Sequence, residues 1–123
     1  MVKPRYAVIK DHNHDDLCDT LKKMGCKIID MAKVGDNFPD LLVLCAQELL
    51  LVEVKNLNTG YGKRGLSEGQ REFATWWHTE GGTVYVIRNT DDCVTLVSPE
   101  DRDKLAFKPT PDDLLRLSNG GRG

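Results

Sequence analysis

Two segments of equal length, residues 40–44 and 49–53, are the clearest feature of the hydrophobic pattern, and each has four consecutive apolar residues and one acid at its outer end. Each combines leucine and valine over a length typical of a buried strand. Only residues 45–48 separate them, which leaves room for a tight antiparallel hairpin with Ala46 and Gln47 at its tip. The pattern therefore predicts two paired strands in the middle of the chain.

The register of this hairpin brings charged residues together. Counting outward from the tip sets Leu44 against Leu49 and Asp40 against Glu53, and opposed side chains in a sheet lie close together. Alternation along the strand points Lys55 to the same face as Glu53. Two facing carboxylates repel each other, and a shared divalent cation removes that repulsion. The alternative interpretation is a solvated strand end at which Lys55 neutralises one acid.

The remaining pattern predicts one compact α/β order around the hairpin. The glycine-rich segment 56–65 has no periodicity and is expected to be a mobile surface loop. The other predicted elements are a helix over 15–24, a strand over 27–31, a helix from Ser67 to about Thr79, a strand over 83–87, a short edge strand over 94–97 and a helix over 112–117.

The helix that begins after Ser67 carries a polar residue at a significant place. Ser67 and Gln70 have the spacing of a capping box. A right-handed crossover between parallel strands puts the start of this helix beside Glu53 and Lys55. Two interpretations of Gln70 stay open: it caps its own helix, or it also orients a water or contacts a phosphate.

Composition limits the kind of protein this is. The chain has 123 residues, a formal charge of -2 and a pI near 5.9. The length predicts a single domain over 1–123, with a core over about 11–97 and a charged tail over 98–123 whose end is disordered. Without a global basic field, any nucleic-acid contact must come from a local patch or through a metal.

The four cysteines lack any C-x-x-C spacing, which predicts reduced, buried thiols in an intracellular protein rather than a zinc site or disulfides. The amino terminus has no signal-peptide pattern, and no run approaches the roughly 20 apolar residues of a membrane span. We therefore expect a cytoplasmic protein that is not secreted.

The order of these motifs resembles the PD-(D/E)XK nuclease superfamily, and more narrowly its small stand-alone virus-type replication-repair nuclease (VRR-NUC) domains of phages and bacteria. The resemblance covers roughly residues 11–89. It rests on Pro39-Asp40, on Glu53-Val54-Lys55, on the helix start Leu66-Ser67-Glu68-Gly69-Gln70 and on the strand from Gly82 to Ile87. It implies a core of helix, three strands, helix and strand, with a mixed central sheet flanked by helices.

The resemblance also implies roles for five residues. Asp40 and Glu53 match the acidic metal ligands, and the main-chain carbonyl of Val54 matches a third ligand. Lys55 matches the motif lysine, which positions water and stabilises charge on the phosphate. Gln70 matches the glutamine that opens the following helix. The metal implied is Mg²⁺ or Mn²⁺.

One expected acid of the family has no direct counterpart. The family commonly has a glutamate on its first helix, whereas residues 11–16 of this chain contain none. Asp16 is the best match and Asp15 the second. An aspartate side chain is shorter than a glutamate side chain, so Asp16 extends less far toward the metal. His12 and His14 lie nearby, and two interpretations stay open: they are surface residues, or they assist the site.

Taken together, the resemblance implies a metal-dependent DNA endonuclease that acts in replication, repair or recombination. It also implies a preference for branched DNA such as Holliday junctions, and a homodimer as a candidate assembly. Lys63, Arg64 and Arg71 are the candidates for holding the DNA backbone. Two alternatives remain: a nuclease of the same fold for flapped or single-stranded DNA, and a DNA-binding module without turnover.

Overall fold

The computed structural model describes residues 5–55 and 66–118, with side chains from Asn13 onward. The predicted loop over 56–65 and the glycine-rich end lie outside the described residues. The elements in chain order are α1 (Arg5–Lys23), β1 (Lys27–Asp30), β2 (Leu41–Cys45), β3 (Glu48–Val54), α2 (Glu68–Thr79), β4 (Val84–Ile87), α3 (Thr90–Val97), a 3₁₀ turn (Arg102–Leu105) and α4 (Pro111–Ser118).

The four strands form one mixed sheet in the order β1-β2-β3-β4. The first three strands are antiparallel neighbours, and β4 lies parallel to β3 after the crossover through α2. Helices flank this sheet on both faces. The predicted α/β fold class, with a mixed central sheet and flanking helices, is confirmed.

The hairpin between β2 and β3 has the predicted register. Leu44 pairs with Leu49. Ala46 and Gln47 both have positive φ, at 51° and 71°, as a two-residue hairpin turn requires. The last pair of the ladder joins Leu41 to Val52, so the next position outward sets the site residues opposite each other.

Alternation along β3 divides the core between the two faces of the sheet. Leu50 and Val52 pack with Leu17 and Leu21 of α1, together with residues of α3. Leu51 faces the other way and packs with the aromatic side chains of α2. The charged end of β3 lies on this second face. No helix within 5–55 or 66–118 is long and apolar enough to cross a bilayer.

The structure corrects two predicted elements. The first helix begins at Arg5 rather than at residue 15, because residues 5–14 contain no glycine or proline to interrupt it. The predicted edge strand over 94–97 is wrong. These residues belong to α3, whose start is capped by the Asn89 side chain accepting from the Asp92 N–H, and Cys93 and Leu96 are buried at helical spacing.

The segment after Ser98 packs onto the sheet instead of trailing from it. Ala106 bridges to Tyr85 of β4, and the Phe107 side chain is buried in the α2 face of the core. Arg102 is buried, forms an ion pair with Glu48 and donates from Nε to the Leu96 carbonyl at 2.7 Å. The predicted helix in this segment is α4, which packs against α2.

Candidate active site

Glu53 is a charged residue buried inside the sheet. It lies near the end of β3, only 2 % exposed, beside Val86 of the parallel strand β4. Strand alternation turns its side chain toward the α2 face. A buried carboxylate is costly unless a hydrogen-bond network or a cation compensates it, so this position indicates a specific role.

Asp40 is fixed directly before β2 from two directions. Its main-chain carbonyl accepts from the Met31 N–H at 2.7 Å, and its Oδ2 accepts from the Val54 N–H at 3.0 Å. The side chain therefore satisfies a strand N–H that lies beyond the last β2–β3 pair. The preceding Pro39 is fully buried and anchors the segment. As the register predicted, the Asp40 carboxylate meets Glu53.

The two carboxylates share this space at an electrostatic cost. Burial raises the pKa of Glu53 to about 9, and the negative charge of Asp40 and a hydrogen bond between the two side chains add to the rise. Lys55 acts in the opposite direction without cancelling it. In the absence of a metal, Glu53 therefore holds a proton at neutral pH.

Lys55 and Gln70 complete the polar cluster from opposite sides. Lys55 follows β3 directly and is only 8 % exposed. Its Nζ donates to Gln70 Oε1 at 2.6 Å. The Gln70 Nε2 donates to Glu53 Oε1 at 3.2 Å. One amide therefore links the acid and the amine of the motif.

The capping interpretation of Gln70 is confirmed, whereas its contact with a water or a phosphate stays a prediction. The capping box is present, because Ser67 Oγ accepts from the Gln70 N–H at 3.2 Å and Gln70 Oε1 accepts from the Ser67 N–H at 2.9 Å. The same side chain bonds Lys55 and Glu53. Capping holds the amide at the helix start, and this placement makes its contact with the site possible.

The donor set suits a hard divalent cation. Asp40 and Glu53 offer carboxylate oxygens, which Mg²⁺ and Mn²⁺ prefer, and Mg²⁺ sites commonly use one or two carboxylates with several waters. The N–H and C=O groups of one strand residue point to the same side, so the Val54 carbonyl also faces Asp40. Among the described residues, no group of three or more His, Cys, Asp or Glu is placed to hold a metal. All four cysteines are free and buried, as expected.

The first helix presents a different residue from the predicted one. Asp15 and Asp16 are both exposed on α1. Asn13 is half-buried, and its Nδ2 donates to the main-chain carbonyl of Lys55 at 3.4 Å. Its neighbour His14 has its Nε2 3.0 Å from Asp30 Oδ2, and the side chain is 18 % exposed, so His14 is half-buried at the protein surface.

Sequence reasoning missed Asn13, although the signal was present. Asn13, Leu17 and Leu21 are spaced by four residues, so they share one face of α1. Leu17 and Leu21 are the most buried of the α1 residues from Asn13 onward. Extending the apolar stripe one turn toward the amino terminus leads to Asn13, whereas a search for an acid led to Asp16.

The predicted DNA-contacting residues have separate outcomes. Lys63 and Arg64 lie outside the described residues. Arg71 forms a two-point ion pair with Asp113 of α4, with Nε 3.0 Å from Oδ1 and Nη2 2.5 Å from Oδ2. Its guanidinium also lies over the Phe107 ring at 5.1 Å. The structure thus gives Arg71 a partner within the protein.

Comparison with known proteins bears on the fold. No family model matches the chain, and no curated protein matches it. A solved structure described as "VRR_NUC domain" aligns over 72 % of this chain and 94 % of its own length, with a TM-score of 0.57 and 20 % sequence identity. The chain has the fold of a VRR-NUC domain. The predicted VRR-NUC resemblance is thus confirmed for the architecture.

Proposed function

We propose that this VRR-NUC domain is a metal-dependent DNA endonuclease that hydrolyses phosphodiester bonds. The observation that carries the proposal is the Gln70 amide, which joins Glu53 to Lys55 beside the Asp40 carboxylate. A purely structural strand end has no need for a buried acid, a buried amine and an amide between them. In metal-dependent phosphodiester hydrolysis an acid can bind the metal, an amine can stabilise charge on the phosphate and an amide can position either group.

In this proposal Asp40 and Glu53 would hold the metal, and the Val54 carbonyl would be a third ligand. When bound, a divalent ion such as Mg²⁺ or Mn²⁺ polarises a nonbridging phosphate oxygen and offsets the negative charge that grows during attack. Glu53 would give up its proton on binding the metal, because a carboxylate binds metal in its deprotonated form.

Lys55 and Gln70 act on the substrate and the attacking water. The Lys55 ammonium is a compact charge on a flexible stem, which suits the phosphate oxygens. Gln70 accepts a hydrogen bond from that ammonium and holds it in place, and in this proposal its amide also orients the attacking water. As the water oxygen bonds to phosphorus it releases a proton to solvent, one P–O ester bond breaks, and the leaving oxygen takes a proton from solvent.

For the substrate, we propose DNA recognised by its structure rather than by its bases, with branched DNA such as a four-way junction as the first candidate. The sequence contains no groove-reading motif that would support base recognition. Lys63 and Arg64 are proposed to hold the backbone. A homodimer would supply two sites for a symmetric junction, which needs two cuts.

A panel of DNA substrates tests the proposal. Purified protein is incubated with a four-way junction, a flap, single-stranded DNA and a plain duplex, in Mg²⁺, in Mn²⁺ and in EDTA. We expect metal-dependent cleavage, fastest on the junction. Faster cleavage of the flap or the single strand would identify that DNA as the preferred substrate and leave the proposed reaction, phosphodiester hydrolysis, unchanged.

Binding without cleavage would favour the alternative, a DNA-binding module that keeps the fold. In that case the junction would shift in a gel under every metal condition while the strands stayed intact. Cleavage in EDTA equal to cleavage in Mg²⁺ would contradict the metal dependence. Cleavage in Mg²⁺ that EDTA abolishes would support the proposal.

A further inference from the structure

The face that α1 turns toward the site is fixed by packing. Leu17 and Leu21 are 1 % and 0 % exposed and hold α1 against the sheet. Asn13 lies one turn earlier on the same face, whereas Asp16 is rotated onto an exposed side. The helix therefore brings Asn13 to the end of β3.

The chemistry of this contact depends on an amide. Asn13 Nδ2 is a donor, and the Lys55 carbonyl that it contacts at 3.4 Å is an acceptor. A carboxylate in the same place has no proton to donate at neutral pH and would face that carbonyl with like partial charge. An acid at position 13 would give up this contact.

The contact also completes a clamp on the main chain of Lys55. The Lys55 N–H donates to the Ile87 carbonyl of β4 at 2.9 Å, and its carbonyl accepts from Asn13. Both polar groups of this peptide segment are therefore held by neighbouring elements. Glu53 and the Val54 carbonyl lie directly before the clamp on the same strand end.

We propose that Asn13, rather than Asp16, is the residue that serves the site among the α1 residues whose side chains the structure describes. It acts as a positioning residue that fixes the Lys55 main chain, and the site keeps two carboxylates, Asp40 and Glu53, for a single divalent ion. This inference rests on the proposed function, because it takes Asp40 and Glu53 as metal ligands. It assigns the first-helix contribution to an amide instead of an acid.

Metal binding without substrate tests the inference. Mn²⁺ binding is measured by titration calorimetry and by the electron paramagnetic resonance signal of free Mn²⁺, for the wild type, Asn13→Asp and the matched surface control Asp16→Asn. Circular dichroism melts check that each variant folds. The wild type should bind one ion.

We expect Asn13→Asp to tighten Mn²⁺ binding about fivefold or to add a second ion, because the attraction of the new negative charge for the ion outweighs the lost contact with the Lys55 carbonyl. Asp16→Asn should leave the affinity unchanged. A merely structural role of Asn13 would lower the melting temperature of Asn13→Asp without moving the metal affinity.

Several results would overturn the inference. These are two ions in the wild type, an Asn13→Asp affinity equal to that of the wild type, or a loss of affinity in Asp16→Asn. If Asn13→Asp does not fold, the number of Mn²⁺ ions bound by the wild type and the Mn²⁺ affinity of Asp16→Asn still test the inference. If the wild type binds Mn²⁺ and cleaves DNA but one of these contrary results is found, the inference about Asn13 is wrong and the proposed function stands. A wild type that neither binds Mn²⁺ nor cleaves removes the proposed function as well.

Discussion

The side chain of Gln70 accepts a hydrogen bond from Lys55 Nζ at 2.6 Å, although the two residues belong to different elements. The contact joins the start of α2 to the end of β3. Because the same amide closes the capping box of α2, helix stability and site geometry depend on one side chain. These two roles can be separated by mutation.

Gln70→Ala should lower the DNA cleavage rate by about a hundredfold, because Lys55 loses the group that positions it. The free energy of unfolding should fall by about 1 kcal/mol through the lost cap. Ser67→Ala is the matched control, since it weakens the same cap and leaves the amide at position 70. Single-turnover rates and urea denaturation measure both effects. Equal rates for the two variants would show that Gln70 serves the helix alone.

The raised pKa of Glu53 predicts how stability depends on pH. Between its ordinary value of 4.5 and about 9, this carboxyl binds more protons in the folded protein than in the unfolded chain. The free energy of unfolding of the metal-free protein should therefore fall as pH rises through that window, by about 1 to 3 kcal/mol between roughly pH 6 and pH 8. Urea denaturation in EDTA measures the slope.

Glu53→Gln is the control for this pH dependence, because the amide does not titrate. The variant should lack the part of the slope that Glu53 contributes, and Mg²⁺ should stabilise only the wild type at the higher pH. Identical slopes for the wild type and Glu53→Gln would contradict the assigned pKa. A Mg²⁺ effect of the same size in both would contradict the ligand role.

Arg71 and Asp113 should behave as a structural pair. The hydrogen bond with Arg71 is the main cause that lowers the pKa of Asp113 to about 2. A double-mutant cycle with Arg71→Ala and Asp113→Ala should give a coupling free energy of about 1 kcal/mol in unfolding experiments. Both single variants should change the KM for DNA to the same small extent. A large rise in KM for Arg71→Ala alone would assign Arg71 to the DNA backbone instead.

The parts of the fold that follow from local rules could be predicted from the sequence. Ala46 and Gln47 define a two-residue turn, and that turn fixes the register that brings Asp40 to Glu53. The capping-box spacing likewise fixes where α2 begins. In both cases the residues that decide the structure lie within a few positions of each other.

The parts that depend on distant contacts could not be predicted in this way. Val94, Thr95 and Val97 favour a strand by their β-branched side chains, yet the Asn89 cap and the burial of one helical face make this segment α3. The partner of Arg71 comes from α4, which the sequence alone does not place beside α2.

Asp40 offers the most direct test of the central claim, that two carboxylates and a lysine form a metal-dependent site. The measurement is the single-turnover rate of junction cleavage as a function of Mg²⁺ concentration, for the wild type and Asp40→Ala. We predict that the wild-type rate rises and saturates with Mg²⁺, while Asp40→Ala stays at least about a hundredfold slower at every concentration. Asp40→Ala cleaving at the wild-type rate with the same Mg²⁺ dependence would contradict the account.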